Sequence, residues 1–209
     1  MTPEPPHAIE YSSDVGRFAD DLLRLQASAS QPYATFVYDD VNQADRITRL
    51  VFDKGVAEFS PPACELLVER GLAIGLLVAL DHTSLRKRRL ASAVELVRSG
   101  TLDEFPAVAR RLRLASSTLL RPVIGDWYLS RIAVSESARG CGYGRQLVDR
   151  FLHAGRERGL TRAVLEVDPA SVAAIRLYED AGFLAIDEHA ITDPESDRVL
   201  TYRHMAATL

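Results

Sequence analysis

Residues 127–144 read WYLSRIAVSESARGCGYG, and this stretch decides the fold. Trp127 to Val134 is a short, mostly apolar run, which predicts a strand. Arg139-Gly140-Cys141-Gly142-Tyr143-Gly144 follows as a glycine-rich turn. A segment with helical spacing then runs to about Arg158, where Gly159 stops it. Glycines in such a turn allow positive φ and close approach of a ligand to the backbone. The first amides of the helix have no partner within it and carry the positive end of its dipole. That combination suits a phosphate or pyrophosphate, although six residues alone are also compatible with a tight turn that holds nothing.

The spelling discriminates among phosphate motifs. GxxxxGK[ST] fails because no Lys-Ser or Lys-Thr follows the glycines. GxGxxG begun at Gly140 fails because its last position is Arg145. The pattern [RQ]xxGx[GA] is satisfied by Arg139, Gly142 and Gly144. Downstream, Ala163 to Val167 predicts a second, central strand, and Asp168-Pro169 breaks it. A helix from about Ser171 to Ala181 ends at Gly182 and carries Leu177-Tyr178-Glu179-Asp180-Ala181-Gly182-Phe183. Phe183–Ala190 and Arg198–His204 are expected as a final strand pair.

Upstream, Ala8–Tyr11 is a strand candidate, and Ser12, Ser13 and Asp14 offer caps for a helix from about Val15 to Gln26. Tyr33–Tyr38 reads as either a strand or an irregular crossing. Asn42 is the expected cap of a second helix closed by Gly55. Cys64–Val68 and Leu72–Leu80 predict an antiparallel hairpin around Glu69-Arg70-Gly71. Residues 81–126 then predict two helices, one from Thr83 or Ser84 to about Arg98 and one opened by a Thr101…Glu104 capping box. Two basic runs lie there, Arg86-Lys87-Arg88-Arg89 and Arg110-Arg111 with Arg113. They read as solvated faces of two helices packed over the core, or as a lid or partner surface attracting an acidic acceptor or the 3′-phosphate of a cofactor.

The chain has 209 residues, 47% hydrophobic and 26% charged, with a formal net charge of -4. That is an ordinary globular mixture, and the acidic balance argues against a nucleic-acid partner. Cys64 and Cys141 form no metal or disulfide pattern, and His153, His189 and His204 fall at no ligand spacing; no metal is expected. The longest apolar run, Leu72–Leu80, is too short to span a bilayer. Met1–His7 reads as a loose Pro-rich tail and not a signal peptide, so residues 8–209 are expected to form a single cytoplasmic domain without a membrane partner.

Strand, RxxGxG turn, helix, strand, and a helix ending in LYxxxGF, in that order over Trp127 to Phe183, resemble the GNAT N-acetyltransferase superfamily. The resemblance implies an α/β (α+β) fold: a mixed, mostly antiparallel sheet splayed at two central parallel strands, with helices on both faces. Residues 81–126 would be a helical insertion before the fourth main strand. It implies acetyl-CoA as co-substrate, the pantetheine arm on the backbone of Ile132, Ala133 and Val134, and the pyrophosphate on amides from Arg139 through Gly140, Cys141, Gly142, Tyr143 and Gly144 to Arg145. Tyr178 resembles the general acid that protonates the leaving thiolate, beside the same cofactor.

Glu166, twelve residues before Tyr178, resembles a base acting through water, and is alternatively an exposed strand glutamate. Its apolar neighbours Leu165 and Val167 put it on the opposite face of the strand from them. Many members of the family have Asn where this chain has Ser171, which would either make a shorter contact to the arm or cap the helix. The implied activity is transfer of acetyl to a primary amine of a small molecule or peptide by direct attack. The alternative is a non-catalytic acyl-CoA-binding regulator. The resemblance also admits a homodimer paired through the last strands.

Overall fold

The computed structural model describes residues 9–209; the expected tail 1–7 and residue Ala8 lie outside them. Seven strands form one sheet in the order β1 (Ile9–Ser12), β2 (Cys64–Glu69), β3 (Leu72–Asp81), β4 (Asp126–Val134), β5 (Arg162–Val167), β7 (Val199–Thr208), β6 (Leu184–Thr192). Every neighbouring pair is antiparallel except β4 and β5. The β2–β3 hairpin turns on Arg70 and Gly71, both at positive φ (53° and 75°), the geometry of a primed two-residue turn.

Helices cover both faces. On one face lie α7 (Tyr143–Glu157) and α8 (Val172–Asp180). Helix α7 presents Leu147, Val148, Phe151 and Leu152, all buried, at helical spacing toward Trp127, Leu129 and Leu165. Gly155 is required for that approach: a Cβ there would lie 2.7 Å from Trp127 Cδ1 and from Leu209 Cδ1. The other face carries α1 (Ala19–Ala29), whose Leu22 and Leu25 pack on Leu66, Leu76, Val78 and Val164.

The expected strand or crossing at 33–38 is instead a helix, α2 (Gln31–Val37), with Pro32 in its first turn, where a missing amide proton costs nothing. Ser12 and Asp14 do not cap a helix at Val15. They accept from the amides of Asp14 and Arg17 and make a turn, so α1 starts later, after Phe18. Helix α3 (Val41–Asp53) is capped by Asp40, which accepts from Gln43 N, and Asn42 lies inside it.

The segment between β3 and β4 holds α4 (His82–Arg98), α5 (Thr101–Glu104) and α6 (Pro106–Thr118). Asp81, the last residue of β3, caps α4 through Ser84 N, so strand passes into helix without a loop. The expected capping box does not form. Thr101 bonds Ser99, and Glu104 takes the fork of Arg46 at 2.6 and 2.8 Å. Pro106 excludes helical geometry at Phe105 (φ -125°, ψ 74°), which splits the expected second helix into α5 and α6.

These helices pack on the core through their apolar sides. Leu96, Val108 and Ala115 join Phe36, Val37, Ile47, Leu200 and Tyr202 in a third apolar cluster. Arg110 and Arg111 converge on Asp193, whose side chain is fully buried, in the connection between β6 and β7. Arg111 also reaches Asp39 at 2.7 Å and Val37 O at 3.2 Å. The hydrogen bonds from Arg110, joined by Ser196 and Arg111, hold the Asp193 carboxyl well below the usual carboxylate range. Arg110 and Arg111 are therefore engaged within the fold.

Candidate active site

The two parallel strands pair only from Asp126↔Arg162 to Leu129↔Leu165. Beyond that point β4 stays on β3 as far as Val134, while β5 stays on β7 as far as Val167. A bulge is the cause. Arg131 opposes Val78 and Leu129 opposes Ala79, leaving Ser130 as an extra residue. Such an insertion bends its strand and raises the local twist. The backbone of Ile132, Ala133 and Val134 thereby faces the opening with no strand across from it.

The glycine turn closes one end of the opening. Gly140 and Gly142 have φ of 80° and 84°, which a side chain would strain. Helix α7 starts at Tyr143, and its first bond runs from Gln146 N to Gly142 O. The amides of residues 140–145 donate to no acceptor among the described residues. Gly144 brings α7 against α8: a Cβ there would lie 3.3 Å from Leu177 Cδ2. Arg139 turns its Nε back to Val134 O at 3.3 Å, and Tyr143 donates to Glu69 at 3.2 Å. Arg145 bonds Asp149 and Asp180 O. Cys141 is exposed. Ser171 is exposed at the start of α8 and makes no side-chain cap. Free amides at a helix start, beside parted strands, fit a diphosphate with an extended arm.

Tyr178 lies on α8 in the apolar cluster that includes Leu129, Leu165 and Val167, the residues at the parting point. Its ring meets Phe183 edge-on at 5.9 Å. Its hydroxyl bonds no described residue, and burial alone pushes the phenol above its ordinary value. Glu166 faces the other side of the sheet, as alternation requires, but it is not exposed: its side chain is 7% accessible. One oxygen accepts from Leu120 N at 2.6 Å and the other from Tyr128 Oη at 2.8 Å. Burial pushes its carboxyl above the usual range, against the Leu120 and Tyr128 bonds and the nearby Arg89 and Arg131. His204 Nε2 is 3.9 Å away and bonds Thr118 O at 2.9 Å. No contact joins Tyr178 to Glu166; they flank the opening from opposite faces.

Sequence reasoning missed a polar seam on the Glu166 side. Glu58 accepts from Arg89 Nε at 2.7 Å and from Ser130 Oγ at 2.8 Å. Burial pushes its carboxyl up, but Arg89, Arg131 and Ser130 outweigh it and hold Glu58 ionised. Arg131 donates to Ser130 O and Oγ and to Ser30 Oγ. Tyr33, Tyr38 and Tyr202 all feel the Arg131 charge; the Tyr38 phenol is pushed up to about 12 by burial. The one available signal was Ser130-Arg131, a polar pair inside an otherwise apolar strand. Among the described residues, no group of three His, Cys, Asp or Glu is placed to hold a metal, and no helix is long and apolar enough to cross a membrane.

A parallel pair parted by a bulge stands beside free amides at a helix start, a place suited to a phosphate-bearing ligand. Residues 114–183 match the model of the acetyltransferase (GNAT) family. The chain is similar to the mycothiol acetyltransferase of Thermobispora bispora, 45% identical over 60 residues, 29% of this chain and 20% of that one. The matched stretch thus spans about a fifth of the length of that curated relative. Among solved structures, one described only as an acetyltransferase superposes with a TM-score of 0.61 at 17% identity, over 96% of this chain and 98% of the other. A Bacillus subtilis acetyltransferase in complex with CoA gives 0.53 at 15% identity, over 98% and 99%. At such identities the likeness concerns the fold.

Proposed function

We propose that this protein is a cytoplasmic N-acetyltransferase that moves acetyl from acetyl-CoA to a primary amine of a small molecule or peptide. The observation that carries this is the end of β4–β5 pairing at Leu129↔Leu165, directly beside the unpartnered amides of residues 140–145. Acetyl-CoA, when bound, supplies an acetyl thioester whose C–S bond breaks as a C–N bond to the amine forms. The amides from Gly140 to Arg145 would hold its diphosphate, and the backbone of Ile132, Ala133 and Val134 its arm. An amide near Ala133 or Val134 would stabilise negative charge on the carbonyl oxygen.

Glu166 takes up the proton lost by the amine, through a water. Two of its lone-pair sites are filled by Leu120 and Tyr128, leaving others free. Its raised pKa brings it closer to the working pH, where a base is most effective. Tyr178 gives its phenolic proton to the departing thiolate and recovers one from solvent. Burial keeps that phenol protonated beforehand.

A thiol-release assay with acetyl-CoA and a panel of amines tests the reading. Acceptor-dependent thiol release is expected. Binding of CoA without turnover on any amine would make the protein a regulator instead.

A further inference from the structure

A buried carbonyl and a half-buried guanidinium edge near the parted half of β4 both lack a protein partner. Gln26 is 6% exposed, and its Oε1 accepts no hydrogen bond. Arg131 donates from Nε to Ser30 Oγ at 3.1 Å and from Nη1 to Ser130 O and Oγ at 2.6 and 3.3 Å. Its Nη2 donates to no described residue. Ser30 links the two groups. Gln26 lies in the last turns of α1, four residues before Ser30, the residue that caps the helix C-terminus. Ser30 is the residue that holds Arg131.

A buried carbonyl with nothing to accept is unfavourable unless a ligand or water completes it, and the guanidinium edge is open to an anion. The ligand that completes both offers N–H at one end and an oxyanion a short span away. Tyr33, Tyr38 and Tyr202 lie near enough to feel the Arg131 charge. Glu58 acts on the Arg131 charge from nearby, but its oxygens bond Arg89 and Ser130 and leave the Nη2 edge unfilled.

We propose that the acceptor is a free amino acid, its carboxylate on the Nη2 edge of Arg131 and its amine turned toward Gln26 Oε1. This rests on the acyl-transfer reading above. A polyamine would set a second cation against Arg131. A peptide N-terminus offers a neutral carbonyl there, and charge-assisted hydrogen bonds are roughly twice as strong as neutral ones.

The experiment compares thiol release with the twenty free amino acids, their carboxamides and putrescine. At least one amino acid is expected to exceed its own amide about 10- to 100-fold in kcat/KM, the range of a hydrogen bond between charged groups. Arg131→Gln should bring that ratio close to one. Gln26→Leu should raise KM for the amino acid while leaving Tm unchanged or higher, because it also removes an unmet carbonyl; a merely structural glutamine would not separate the two. Amides or putrescine turned over as well as amino acids would overturn the proposal, as would an unchanged ratio in Arg131→Gln. Should that variant fail to fold, the wild-type ratio and Gln26→Leu still decide. Silence from every amine would overturn acyl transfer itself, and this assignment with it.

Discussion

Replacing Glu166 separates its chemical role from its structural one. Glu166→Gln keeps an oxygen for Leu120 N, and the Tyr128 hydroxyl can rotate to accept from the new amide. The loss in stability should be about 1 kcal/mol or less, the net worth of one hydrogen bond. Glu166→Ala leaves the Leu120 amide and the Tyr128 hydroxyl unmet, at about 1–3 kcal/mol each. Activity should rank differently. Loss of a positioned base removes about 10²- to 10⁴-fold from kcat/KM, and both variants lose it equally. The acid limb of the wild-type profile should break above the ordinary carboxyl value of 4.5 and vanish in Glu166→Gln.

Stability carries an independent sign. A carboxyl whose folded pKa is raised contributes stability below its unfolded pKa and loses it as pH climbs through the folded one. The Tm advantage of wild type over Glu166→Gln should therefore be largest near pH 4 and shrink toward pH 8. Scanning calorimetry and thiol-release kinetics over that range are the assays. Wild-type kcat/KM and an unchanged acid limb in the Glu166→Gln variant would refute the base assignment.

Three further outcomes follow from the same geometry. Tyr178→Phe should keep wild-type Tm, since its hydroxyl bonds no described residue and the ring contact to Phe183 remains, yet lower kcat at least about 100-fold; urea melts with single-turnover kinetics check both. Gly142→Ala must place a Cβ at φ 84°, a strain of about 1–2 kcal/mol, so KM for acetyl-CoA should rise about tenfold with the amine KM unchanged, read by varying each substrate in turn. Arg111→Ala removes bonds to Asp193, Asp39 and Val37 and should cost about 3 kcal/mol, seen as a lower urea midpoint and faster amide exchange in residues 193–198.

What the sequence disclosed was local. The strand at Trp127–Val134, the glycine turn and the Tyr178 helix carry their signals within a few residues each, and their order carried the resemblance. The caps at Asp40 and Asp81 were missed because several polar residues cluster at each start and only three-dimensional geometry selects among them. Helix α2 was missed because Tyr33, Thr35 and Val37 favour strands by propensity, while packing of Phe36 and Val37 against Leu200 and Tyr202 decides otherwise. The polar seam was illegible because its bonds join distant positions: Glu58 lies 72 residues from Ser130, and Arg131 lies 101 from Ser30. The parting of β4 from β5 came from the family resemblance; the bulge that produces it has no spelling in a single strand.

The anchoring of residues 193–198 has a consequence for how a guest is chosen. Asp193 is tied to α6, and Arg198 donates to Tyr38 O at 2.6 Å, so the strand turn beside Tyr33, Tyr38 and Tyr202 is rigid before anything arrives. A molecule entering that side meets a finished mould, and little ordering entropy is lost on its arrival. Discrimination then rests on shape and desolvation at first encounter rather than on a flap that folds over a correct fit.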